Sequence, residues 1–236
     1  MQGIILAAGT GRRLLPHTKN TPKCLIKING KSILDYQIGL FKECGLKDVI
    51  VICGFKAEKI RKHLKGEANI RLIYNPYYSQ TNSVVSLWLA IDFLKGNLLI
   101  MNSDIITEKK LLNKIIGLKA EAAVLVDRRM QGYRVRIKKG NISHMSMEIP
   151  QGSAFGTYAG VTKISGKRLG IFKNKLERWV GTGRINDWYE DAVVGMVRSG
   201  VKVKPVLTDD YLWCEIDTPG ELKHAKALLK REKCTQ

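Results

Sequence analysis

The chain has 236 residues, 44% of them hydrophobic, and carries 40 Lys and Arg against 21 Asp and Glu, a formal net charge of +19. This length and apolar content suit one α/β domain with a full core, and no apolar stretch approaches the roughly 20 residues needed to cross a bilayer. The basic residues are dispersed, with concentrations at 56–71, 128–139 and 223–233 and no zinc-finger or RNP-type motif beside them; this favours an anionic substrate over nucleic acid as the partner.

In chain order, residues 3–7 form a short apolar run, read as a buried first strand rather than a signal peptide, because no basic segment precedes it and a glycine-rich turn follows. Residues 32–44 carry an amphipathic helical pattern stopped by Gly45. The spacing then predicts a strand at 49–53, a helix at 57–64, a strand at 70–74, a helix at 83–94 and a strand at 97–101 that ends on Asn102-Ser103-Asp104. Strands alternating with helices in this way imply βαβ units and a mainly parallel sheet. Such sheets bind ligands at the carboxyl ends of their strands, which brings Ala8–Arg13, Gly54 and Asp104 to one edge.

The second half reads differently. Strands are expected at 122–127, 133–138 and 142–147, the last two joined by the turn Lys139-Gly140-Asn141, and again at 157–164 and 201–207. Helices are expected at 185–199 and 219–233. The hairpin should form a small β-rich lobe on the same sheet, with no flexible linker between residues 1–110 and 111–236. Five scattered cysteines (Cys24, Cys44, Cys53, Cys214, Cys234) form no C-x-x-C pair and are odd in number. They read as reduced residues of a cytoplasmic protein and argue against a zinc site.

Leu6-Ala7-Ala8-Gly9-Thr10-Gly11-Arg12-Arg13-Leu14 carries the strongest chemical signal. Glycines at a strand end let the backbone approach a ligand and turn its N–H groups towards phosphates. Ala7 and Ala8 leave room for a base or ribose, and two arginines add charge for a triphosphate. It is neither a dinucleotide fingerprint, whose third glycine would fall at Leu14, nor does Gly30-Lys31-Ser32 complete a P-loop, since position 25 is Leu25. A lysine held by a preceding proline, Thr21-Pro22-Lys23, can present a point charge to a phosphate.

Together with Pro16, Thr18, Leu25, Ile28-Asn29-Gly30-Lys31-Ser32-Ile33-Leu34 and Asp48–Phe55, these residues resemble the signature of the sugar-nucleotidyltransferase superfamily. Asn75-Pro76-Tyr77-Tyr78-Ser79-Gln80-Thr81-Asn82-Ser83-Val84-Val85-Ser86-Leu87 resembles its phosphocholine cytidylyltransferase branch, where sugar enzymes have a glycine-containing segment. The resemblance implies a Rossmann-like three-layer α/β/α fold with a mixed, mainly parallel sheet. It also implies transfer of a nucleoside monophosphate from an NTP, CTP favoured, to a small phosphorylated acceptor such as phosphocholine or phosphoethanolamine. By the same resemblance, Asp104 and Asp217 bind Mg²⁺ and act in catalysis with Arg13 and Lys23. Leu6, Ala7, Ala8, Gly9, Thr10, Gly11, Arg12, Thr81, Asn82 and Ser86 hold the nucleotide. Thr81-Asn82 equally suits a helix N-cap.

Alternation sets Glu215 and Asp217 on one face of an extended segment, and Mg²⁺ favours such a sparse carboxylate site completed by phosphate oxygens and water. Asn186-Asp187-Trp188-Tyr189-Glu190-Asp191 reads two ways: Asp187 with Glu190 as a capping-box-like helix start, or an acidic and aromatic box for a cationic head group. In the second reading Asp187, Trp188, Tyr189, Glu215 and Tyr133 bind the acceptor. Two departures weaken a hexose-1-phosphate assignment: Thr157-Tyr158-Ala159-Gly160 lacks the acid common in sugar-type relatives, and His144-Met145-Ser146 stands where they carry a lysine. A sugar-1-phosphate or inositol-phosphate enzyme, or an inactive nucleic-acid-binding protein on the same fold, are the competing readings.

Overall fold

The computed structural model describes residues 1–128 and 132–234. Part of the basic stretch 128–139 and the thiol of Cys234 lie outside the described residues.

The chain enters through β1 (Gln2–Ala7), runs through a loop carrying two single-turn 3₁₀ segments, and makes a small hairpin of β2 (Lys27–Ile28) and β3 (Lys31–Ser32). Ser32 caps α1 (Ile33–Glu43) with a full capping box: its hydroxyl accepts from the Asp35 N–H while the Asp35 carboxylate accepts from the Ser32 N–H. Next come β4 (Asp48–Cys53), α2 (Ala57–His63), β5 (Ile70–Tyr74), α3 (Ser83–Leu89) and β6 (Leu98–Asn102). β1 lies between β4 and β6, and β4 between β1 and β5, all parallel.

After β6 the chain turns at Asp104 into β7 (Ile105–Thr107) and α4 (Lys109–Gly117), then β8 (Ala122–Asp127). The hairpin of β9 (Arg134–Lys138) and β10 (Asn141–Ser146) joins the main sheet through β11 (Gly156–Ile164). β11 runs antiparallel to both β6 and β8, so the sheet is mixed in its second half. α5 (Leu169–Gly181), α6 (Tyr189–Arg198), β12 (Val203–Leu207), parallel to β8, then β13 (Trp213–Glu215) and α7 (Pro219–Cys234) complete the chain. β13 pairs antiparallel with β7, setting Glu215 opposite Ile105.

The pleat sorts the core. Ile4, Ile50, Ile52 and Ile100 face α3, α5 and α6, whereas Ile5, Val49, Val51 and Met101 face α1, α2 and α4. A third cluster joins Leu14, Ile28, Ile106 and Ile216 to Leu222, Ala225 and Leu229 of α7. The three-layer α/β/α arrangement is therefore present, with α7 sealing the flank beside β7.

Several boundaries differ from the sequence expectation. The helix expected at 83–94 stops at Leu89, where the Ala90 N–H bonds Leu87 rather than four residues back, and 91–93 form a 3₁₀ turn. The helix expected from 185 begins at Tyr189, because the Ile185 carbonyl accepts from the Asn82 N–H and the Tyr189 N–H donates to the Ser83 hydroxyl. The strand expected from 201 starts at Val203. β7, α4 and α5 fall in stretches read as connections, although Leu111, Leu112 and Ile115 and then Phe172, Leu176 and Trp179 carry helical spacing and are buried.

Candidate active site

A cleft of about 400 Å³ opens at the carboxyl ends of β1 and β6. Its floor is the loop after β1. Gly11 sits at φ 63°, and its carbonyl accepts from the Thr18 hydroxyl at 2.8 Å. A Cβ there would lie 3.0 Å from Thr18 and 3.1 Å from Lys23, so the left-handed glycine lets Lys23 pack directly beneath the loop. Leu14, fully buried in the third cluster, pins the loop's far end. Gly9 is different: its φ is ordinary and a Cβ would meet no protein atom within 4 Å. What a side chain at Gly9 would fill is the cleft itself.

Lys23 is 8% exposed. Its ammonium donates to Asp104 Oδ2 at 2.7 Å and to Asp217, which also takes Arg13. Burial opposes the charge on Lys23, but Asp104 and Asp217 outweigh it and hold the pKa above the usual lysine value. α7 orients Asp217 from behind, since Glu221 accepts from the N–H groups of Asp217 and Thr218 at 2.8 Å each. Ligand oxygens of Asp104, Glu215 and Asp217 lie within 4.8 Å of one another. Partial desolvation of the Glu215 carboxyl, then the like charges of Asp104 and Asp217, raise it above the usual carboxylate range against the pull of Lys23.

Along one wall, Asn82 caps α3 by accepting from the Ser83 N–H at 2.8 Å, and the Thr81 hydroxyl donates to the Tyr77 carbonyl. Buried Asn75 donates to Ser86 at 3.0 Å. At the other end stands Trp188, 42% exposed, with the Tyr133 ring edge-on at 5.8 Å. The Tyr133 hydroxyl donates to Asp191 at 2.7 Å. Burial and that carboxylate raise the Tyr133 phenol far above the usual range. Glu190, 4% exposed, is pushed up to about 8 by desolvation, Asp191 and Asp104 adding to it and a hydrogen bond from Asn102 opposing.

Of the expected residues, Leu6–Arg13, Lys23, Thr81, Asn82, Ser86, Asp104, Trp188 and Asp217 line this one cleft. Four expected acceptor residues do not. Tyr189 is fully buried, its hydroxyl shared with Tyr158 and Thr162 in the core. Asp187 is turned away, ion-paired to Arg184 and accepting from the Trp179 indole at 3.1 Å. Tyr133 stands one ring behind Trp188. Glu215 joins the carboxylate cluster and lines a neighbouring cavity with His224. Only the carboxylate half of a capping box forms, one residue further on: Asp191, not Glu190, accepts from the N–H of the N-cap residue, which is Trp188 rather than Asp187. Sequence reasoning missed Asn75, Tyr78, Asn102 and Glu190 in the cleft. The Glu190 signal was present, because Glu190 stands on the same helical face as Val193, Val194 and Val197.

These features match known proteins. A model described as nucleotidyl transferase fits residues 2–133. The chain is 34% identical over 134 residues to the CTP:phosphoglutamine cytidylyltransferase of Campylobacter jejuni, covering 54% of this chain and 53% of that one. It is 42% identical over 100 residues to the choline-phosphate cytidylyltransferase of Streptococcus pneumoniae, covering 42% and 43%. The matched stretch thus spans about half the length of these curated relatives. The solved structure of a CTP:phosphocholine cytidylyltransferase from Streptococcus pneumoniae superposes with a TM-score of 0.82 at 22% identity, covering 97% of this chain and 98% of that one, which shows a common fold. With the family model fitting more than half of its length, the glycine loop and Lys23 included, the chain belongs to the nucleotidyl transferase family.

Proposed function

We propose that the protein transfers CMP from CTP to a small phosphorylated acceptor bearing a positive charge, such as phosphocholine or phosphoethanolamine, and releases pyrophosphate. One observation carries this reading: a single cleft joins a phosphate-type loop with Lys23 and Arg13 to buried Glu190 and to an exposed Trp188 backed by Tyr133 and Asp191. An aromatic face beside carboxylates suits a quaternary or primary amine.

The donor's triphosphate would lie over the N–H groups of residues 9–11, its β- and γ-phosphates towards Arg13. Lys23 would hold the charge that develops at the α-phosphate. The acceptor phosphate is already anionic, so no general base is needed, and the chain's task is to orient the attacking oxygen in line with the leaving pyrophosphate. Mg²⁺ fits the carboxylate cluster. Its donors are hard oxygens, and Asp104 Oδ1 is buried with no hydrogen-bond partner, an atom otherwise costly to keep. Asp104 and Asp217 would hold the ion, with Glu215 close enough to join them. When bound, it would supply charge neutralisation between donor and acceptor phosphates.

The test is pyrophosphate release with Mg²⁺, each common NTP being paired with phosphocholine, phosphoethanolamine, glucose-1-phosphate and inositol-1-phosphate. Turnover with CTP and an amine-bearing acceptor is expected. Turnover confined to a sugar or inositol phosphate would discard the cationic box, and binding of nucleic acid without turnover of any NTP would discard the reading altogether.

A further inference from the structure

The segment that carries Asp104 is tied down from several directions. The Ser103 N–H donates to the Leu6 carbonyl at 3.2 Å, and the Asp104 carbonyl accepts from the Ile216 N–H at 3.0 Å. From below, in the second turn of α1, Gln37 donates through one amide nitrogen to both the Asn102 carbonyl at 2.8 Å and the Ile105 carbonyl at 2.9 Å. These carbonyls flank Ser103 and Asp104. An amide nitrogen has two hydrogens in one plane, so holding both carbonyls fixes their separation and with it the tightness of the turn.

Gln37 is 1% exposed, amid the α1 residues Leu34, Ile38 and Phe41 that face the core. Its Oε1 is buried without a hydrogen-bond partner. The orientation of the amide is not open to a flip, because two carbonyl oxygens can be met only by the NH₂ group. The molecule therefore carries one buried acceptor, a burden of about 1–3 kcal/mol, while the same amide meets the two carbonyls on either side of Ser103 and Asp104.

We infer that Gln37 is a positioning residue for the cation site: it sets the Asn102–Ile105 turn so that the Asp104 carboxylate faces Asp217. The inference rests on the reading of Asp104 and Asp217 as ligands of a divalent cation. Outer-sphere partners that orient metal ligands are worth about 10- to 100-fold in metal affinity when removed.

The experiment titrates Mn²⁺ alone, followed by electron paramagnetic resonance, into wild type, Gln37→Met and Asp104→Asn, with a thermal melt for each. Methionine keeps the volume and removes the clamp together with the orphaned acceptor, leaving the Asn102 and Ile105 carbonyls without that donor. Should it fail to fold, Gln37→Asn keeps an amide one methylene short of the carbonyls. Expected is saturable binding by wild type, its loss in Asp104→Asn, and an affinity at least about tenfold weaker in the folded Gln37 variant. Unchanged Mn²⁺ affinity in a folded Gln37 variant, whatever its melting temperature, would overturn the positioning role and leave the cation site standing. Absence of binding by wild type would overturn the cation site and the Gln37 inference together.

Discussion

Glu190 offers a test that needs no substrate. Its carboxyl lies buried in the wall of the cleft, raised from an ordinary 4.5 to about 8, chiefly by desolvation. In the unfolded chain it ionises near its ordinary value, while in the folded protein it keeps its proton until about pH 8. Between those two values the unfolded state gives up a proton that the folded state retains. Stability contributed by Glu190 is therefore complete below about pH 4.5, declines as pH rises, and is fully lost above about pH 8. One proton corresponds to a slope of about 1.4 kcal/mol per pH unit, or about 3 kcal/mol between pH 5.5 and 7.5. Glu190→Gln is uncharged throughout and lacks this slope. Urea unfolding of both proteins at pH 5.5, 6.5 and 7.5 measures the difference, in which titrating groups that do not interact with Glu190 cancel. The wild type should lose ground to the glutamine variant steadily across that range. A difference that stays flat would refute the claim that Glu190 is protonated in the folded protein at neutral pH.

Other outcomes follow from the same site. Gly9→Ala should fold with an unchanged melting temperature, since its Cβ meets no protein atom, yet raise the KM for the nucleotide at least about tenfold because the methyl occupies ligand space; a normal KM would show that the nucleotide does not approach this loop. Lys23→Met removes the cation shared by Asp104 and Asp217; it should melt lower than wild type near neutral pH, and added Mg²⁺ should raise its melting temperature more than that of wild type. Trp188→Leu should weaken binding of phosphocholine by about 1–2 kcal/mol, a cation–π contribution, while leaving nucleotide binding intact, as calorimetry with each ligand would report.

Much of this arrangement is legible in the chain, and the losses have physical causes. β5 and β8 fall on the residues expected, and Ala122–Asp127, buried along its whole length, has the near-continuous apolar run of a strand covered on both faces. The loop, Lys23, Asp104 and Asp217 are readable because each has its own local context. The acceptor end is not, because its geometry is decided by contacts distant in sequence. The Asn82–Ile185 and Ser83–Tyr189 hydrogen bonds pull residues 185–188 out of the helix. That one-turn change turns Tyr189 into the core and brings Trp188 and Glu190 to the cleft. Local pattern shows acidic and aromatic residues close together in the sequence, but it cannot assign phase to a helix whose start is fixed by another helix's cap. Gln37 was equally visible, a polar residue in the apolar stripe Leu34–Ile38–Phe41, yet its meaning depends on which carbonyls lie opposite.

The distribution of charge along the cleft bears on which acceptors it can orient. Arg12, Arg13 and Lys23 stand at the loop end, Asp191 stands with Tyr133 behind Trp188 at the other, and Glu190, hydrogen-bonded by Asn102, lines the wall of the cleft. A zwitterion with a phosphate at one end and an amine at the other aligns with this gradient in one direction only, its phosphate towards Lys23. A neutral polyol phosphate is attracted by the same loop end but gains nothing at Trp188. The cation also acts on Glu190. A positive charge beside a buried carboxyl stabilises its ionised form, so binding should drive out the proton that desolvation holds there. Affinity for a cationic acceptor should then rise with pH as the free protein approaches about pH 8. Calorimetry in buffers of different ionisation enthalpy would detect the released proton. A cationic acceptor that binds without releasing one would place the head group away from Glu190 and assign the site to the aromatic face of Trp188 alone.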